Sequence, residues 1–60
     1  MKDYFIYDRA NDHVLCFDNG DVIFFASLEE AQDDLYGNEE ILKFSELPKK
    51  WQELIKKQTL

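Results

Sequence analysis

Apolar and polar residues alternate along this chain with two periods, first that of strands and then that of helices. Tyr4-Phe5-Ile6-Tyr7 and His13 to Phe17 are short apolar runs separated by Asp8-Arg9-Ala10-Asn11-Asp12, a polar, turn-forming stretch that suits a hairpin loop. Val22-Ile23-Phe24-Phe25 is β-branched or aromatic on both side-chain parities, which predicts a third strand covered on both faces and therefore central. Ser27, with Glu30 three residues on, has the pattern of a capping box, so the strand is expected to stop near Ala26 and a helix to open at Leu28. Leu28, Ala31 and Leu35 fall at i, i+3 and i+7, with Glu29, Glu30, Asp33 and Asp34 opposite them. That spacing predicts a helix to Tyr36, closed by Gly37 in the left-handed C-cap conformation. Ile41-Leu42-Lys43-Phe44 reads as a short fourth strand, with an extended connector as the alternative. Ser45-Glu46-Leu47-Pro48 starts a second helix, in which Leu47, Trp51, Leu54 and Ile55 recur at i, i+4, i+7 and i+8. Glu53 can support Lys57 one turn on, and Lys56 and Lys57 suit the negative end of the helix dipole. The predicted fold is α+β: a small antiparallel three-stranded β-meander, with an optional short fourth strand, packed with two short helices. The order is β-β-β-α-(β)-α in one domain over residues 1–60.

The turn between the second and third strands admits two registers. With Asn19 and Gly20 as the two residues of a type I′ loop, Phe17 pairs with Val22 and Cys16 with Ile23. That register also sets Asp18 opposite Asp21, two like charges, so a bulged three-residue loop with Gly20 in the left-handed region is the rival.

Size and charge narrow the reading. At 60 residues the chain is near the lower limit for folding alone, and its nine aromatic residues are the main compensation. The single cysteine, Cys16, has no internal partner for a disulfide, and no apolar signal segment precedes Tyr4. A cytoplasmic location is therefore expected. No apolar run approaches the roughly 20 residues that span a bilayer, so no membrane partner is expected. The net charge of −6 is uneven: residues 1–40 carry −9 and residues 41–60 carry +3. An acidic body repels phosphate, which argues against direct nucleic-acid binding.

The residue types that carry chemistry do not assemble into a reactive set. His13 and Cys16 are three apart in one strand, which puts their side chains on opposite faces and argues against a nucleophile-base dyad. Asp18-Asn19-Gly20-Asp21 lacks the alternating oxygen ligands of a calcium loop, so neither a metal nor another cofactor is expected. The acids that remain are Glu29, Glu30, Asp33 and Asp34 on the first helix, with Asp18 and Asp21 at the turn. Their simplest role is a solvated face. Their functional role would be contact with a larger protein, either directly or by imitating the phosphate spacing of nucleic acid in a basic groove. A competing expectation comes from the apolar surplus: were both helices on one side of the sheet, its other face would be an exposed aromatic patch suited to a homodimer. A helix on each side would leave a monomer.

The run Asn19-Gly20-Asp21-Val22-Ile23-Phe24-Phe25-Ala26-Ser27-Leu28-Glu29-Glu30-Ala31 resembles the strand-then-helix pattern of small acidic proteins encoded by phages and mobile elements, among them anti-CRISPR and other host-defence inhibitors. The resemblance implies an enzyme-free protein that binds a larger host machine. The expectation is thus a non-enzymatic inhibitor or regulator of a larger cytoplasmic protein, with a structural homodimer as the alternative.

Overall fold

Tyr4 to Asp8 alternates so that Phe5 and Tyr7 lie on one side of the backbone and Tyr4 and Ile6 on the other, and this strand is the middle of the molecule. A computed structural model describes residues 3–59, Thr59 through its backbone alone. The elements in chain order are β1 (Tyr4–Asp8), β2 (His13–Val14), α1 (Leu28–Asp33), β3 (Glu40–Lys43), a 3₁₀ turn (Phe44–Glu46) and α2 (Lys49–Thr59). The three strands form an antiparallel sheet in the order β2-β1-β3, so the fold is a small α+β domain with two helices, as expected from the pattern. Tyr7 pairs with Val14 on one edge of β1, and Phe5 and Ile6 pair with Leu42 and Ile41 on the other.

Some finer expectations need correction. The third strand of the sheet is Glu40–Lys43, the segment read as an optional fourth; Val22 to Phe25 makes only isolated bridges, Cys16 to Val22 and Tyr4 to Phe25. The reason lies in a fork at Leu15, whose N–H donates to Ile6 O at 2.9 Å while its C=O accepts from Ile23 N at 3.0 Å. The segment after Asp21 enters this fork between β2 and β1, so neither neighbour runs alongside it for long. The turn takes the three-residue register: Phe17 N donates to Asp21 O at 2.8 Å and Gly20 N to Phe17 O at 3.0 Å, with Gly20 at φ +95°. This register separates Asp18 from Asp21 and puts Val22 on the same face as Cys16.

α1 is also shorter than its pattern, ending at Asp33 instead of Tyr36. Two acids, Asp33 and Asp34, sit at its negative dipole end with no basic residue in the last turn. Asp34 N and Leu35 N then turn back to Ala31 O and Gln32 O at 3.2 Å each, tightening the exit. Gly37 adopts φ +54°, but in a separate turn closed by Glu39 N donating to Tyr36 O at 3.1 Å.

The helices occupy opposite faces of the sheet. Leu47, Trp51 and Ile55 of the α2 region pack on Phe5, Tyr7, Val14 and Val22, with Cys16 at the margin. Ala31 and Leu35 of the α1 region pack on Ile6 and Phe25, flanked by Tyr4, Leu15, Ile23 and Ile41. The aromatic sheet face on which a sheet-face dimer depends is thus covered on both sides. Leu28, placed on the core side by its spacing, is exposed, as are Phe17, Phe24 and Leu54.

Candidate functional site

The acidic face of α1 is built by one cap and one buried alanine. Ser27 Oγ accepts the Glu30 N–H at 3.2 Å, half of the expected capping box, which fixes where the helix begins. Ala31 is fully buried against the sheet and so sets the rotation of the helix about its axis. The consequence is that Glu29, Glu30, Asp33 and Asp34 all face solvent, and none of them enters an ion pair among the described residues. Asp18 and Asp21 lie apart from them at the exposed hairpin tip. There Asn19 organises the turn, its Oδ1 accepting the Asp21 N–H at 2.9 Å and its Nδ2 donating to the Asp21 carboxylate at 3.3 Å. Among the described residues no group of three or more His, Cys, Asp or Glu is placed to hold a metal ion.

His13 and Cys16 stay apart. The exposed His13 ring stands edge-on to Trp51, 5.4 Å between centroids, whereas the half-buried Cys16 thiol donates to Val14 O at 3.1 Å. Burial pushes that thiol above its ordinary range, the direction opposite to activation.

Two features escaped the sequence reading. The first is Asp12, read as one more loop residue. It takes φ +51° and its carboxylate joins the β1–β2 loop to β1 and α2. That group accepts from Tyr7 Oη at 2.6 Å and from Trp51 Nε1 at 3.4 Å, and it pairs with Lys50 Nζ. Lys50 first and Tyr7 second hold the Asp12 carboxyl down at about 2, and the same bond raises the Tyr7 hydroxyl above its usual value. The second is Gln58, whose side chain accepts from Val22 N at 2.7 Å and donates to Val22 O at 2.9 Å. An amide side chain at the end of α2 thus bonds the Val22 peptide groups as a neighbouring strand would.

A shallow, open cleft of about 300 Å³ lies between the β1–β2 loop and the turn before β3. One wall is the Asp8 loop. Asp8 Oδ1 accepts from Ala10 N at 3.1 Å and Asn11 N at 3.4 Å, and Oδ2 from Asn11 Nδ2 at 2.6 Å. These donors, the Asn11 side chain first, keep Asp8 below the usual carboxylate range. The other wall is the turn at 36–39, in which Glu39 Oε1 accepts the Tyr36 N–H at 3.0 Å. The two walls are clasped by Arg9, whose Nε and Nη2 donate to the Glu40 carboxylate at 2.9 and 2.8 Å, raising the guanidinium and lowering Glu40. No described helix is long and apolar enough to cross a membrane. Comparison with protein-family models, curated proteins and solved structures finds no match to this chain.

Proposed function

We propose that this protein is a non-enzymatic binding module, a small acidic inhibitor or regulator of a larger cytoplasmic protein, contacting it through the outer face of α1. The observation that carries the reading is the combination of three carboxylates on one short helix and a fourth at its C-cap, Asp34, with their complete lack of internal pairing among the described residues. Charges used for stability are found paired, as Arg9–Glu40 and Lys50–Asp12 are here. Four unpaired acids held by a cap and a buried alanine form a fixed negative surface, which suits a basic groove such as that of a nucleic-acid-handling protein. A module of this kind would act in the manner of phage-borne host-defence inhibitors.

The test is capture of partners from lysate of the source cell by the wild-type chain and by E29Q/E30Q/D33N/D34N, at low and at high salt. A partner held by the wild type at low salt and lost both in the variant and at high salt is the expected outcome. The variant's circular dichroism should match the wild type, because exposed charges contribute little to stability. Retention of the partner by the neutralised helix would overturn the reading.

A further inference from the structure

We infer that the cleft between residues 8–11 and 36–39 is a receptor for one arginine side chain of a protein partner, an inference that rests on reading the protein as a binding module.

The molecule itself contains the pattern on which this rests. Arg9 lies 5.8 Å from the centroid of the Tyr7 ring while two of its nitrogens hold the Glu40 carboxylate, so ring, carboxylate and guanidinium form one unit. Next to it, the cleft repeats two of the three parts. Tyr36 is 75 % exposed, more than any other large apolar side chain described. Glu39 lines the same cleft, with Oε1 fixed by the Tyr36 N–H and Oε2 without a hydrogen bond among the described residues. The third part, a cation, is absent from the lining, whose charged members are Asp8 and Glu39, both acidic.

The chemistry selects guanidinium over ammonium. A planar guanidinium stacks on an aromatic face and offers paired donors to a carboxylate in one plane, whereas an ammonium is a more strongly hydrated point charge. The walls are also preorganised. Asp8 is fixed by three donors of its own loop, and the Arg9–Glu40 clasp sets the spacing of that loop from the turn. Gly37 has nothing within 4 Å of where a Cβ would stand, so the turn leaves open space at that position of the wall.

The experiment is an NMR titration of the full chain with N-acetyl-arginine N′-methylamide, using the citrulline analogue as a neutral control of nearly the same shape. Saturable shifts confined to residues 8–11 and 36–39 are expected, with the citrulline compound weaker by about tenfold because it lacks the charge that strengthens both contacts. Y36A removes the exposed ring and E39Q keeps the acceptor to Tyr36 N while removing the charge; each should weaken the arginine probe by about threefold and leave the remaining spectrum unchanged. Equal binding of the citrulline compound, shifts that map to α1, unchanged affinity in both variants, or no saturable shift would each overturn the inference. E29Q/E30Q/D33N/D34N leaves the cleft intact and should bind the probe like the wild type, so failure of the cleft and failure of the α1 reading give separate results.

Discussion

Asp12 occupies a left-handed backbone conformation that most residues avoid, and it holds Tyr7, Lys50 and Trp51 around one carboxylate. Its value of about 2, against an ordinary 3.8, means that the unfolded chain takes up this proton first as pH falls. The stability it contributes is therefore complete above about pH 5 and is lost progressively as pH falls from about 4 through about 2. Asp8 and Glu40, also lowered, act in the same direction. Asp12→Asn keeps the backbone conformation, which asparagine tolerates, but removes the charge. It should lower the urea midpoint at pH 7 slightly and flatten the acid limb of midpoint against pH; a limb as steep as the wild type's would show that other carboxylates carry it. The effect is modest because the Asp12 and Lys50 side chains are 45 % and 62 % exposed. Gly20 is the second residue whose backbone sets local structure. At φ +95° an alanine is strained even though nothing lies within 4 Å of its Cβ, so Gly20→Ala should cost about 1 kcal/mol in chemical denaturation.

At the scale of elements, α2 is tied to the sheet at both ends by side chains. Lys50 and Trp51 reach Asp12 near its start, and Gln58 bonds both Val22 peptide groups near its end. The Gln58 contact completes the fork at Leu15, because the Val22 groups turned away from Cys16 would otherwise lack a partner. Gln58→Ala should cost about 1–2 kcal/mol by urea denaturation, the net worth of two hydrogen bonds, and Gln58→Glu more, since a carboxylate accepts from Val22 N but faces Val22 O without a proton. Loss of hydrogen-exchange protection at the Val22 amide should accompany Gln58→Ala. α1, at six residues, depends more on its cap and on Ala31 than on its own length. Ser27→Ala removes the bond to Glu30 N and should lower stability by about 1 kcal/mol.

For the molecule as a whole, the decisive arrangement is one helix on each side of a three-stranded sheet. Phe5 and Ile6, adjacent in β1, belong to different hydrophobic clusters, so the strand joins two half-cores. A chain of this length is expected to have a total stability of about 3–9 kcal/mol. Phe5→Ala, at about 3–5 kcal/mol, and Ile6→Ala, at about 2–5 kcal/mol, should each remove most of it, whereas Ile6→Val, at about 1 kcal/mol, should leave a cooperative transition. Were thermal unfolding of Phe5→Ala to stay cooperative at an unchanged midpoint, the two-cluster account would fail. The same arrangement sets the charges apart: the acids of α1 lie on one side of the sheet, and Lys49, Lys50, Lys56 and Lys57 of α2 on the other.

The local code of the chain was sufficient for much of what depends on a few consecutive residues, though not for where α1 ends. The period of apolar positions marked β1, α1 and α2, Ser27 marked a helix start, and Glu29, Glu30, Asp33 and Asp34 are exposed as their spacing predicts. The same reading erred where two segments compete for one neighbour. Val22 to Phe25 is apolar on both parities whether it is a central strand or a segment held at a fork, and only the return of β3 to the free edge of β1 decides between them. Asp12 and Gln58 were silent for the same cause: an aspartate in a loop and a glutamine near a helix end are ordinary in sequence, and Lys50 and Val22, which they bond, stand 38 and 36 residues away. Propensity and periodicity act over a turn or two, so the sequence by itself determined β1, the two helices and their polar faces. Which strand edges meet, which side of the sheet each helix covers, and hence which loops form the cleft are settled by long-range pairing, and these only the tertiary structure decided.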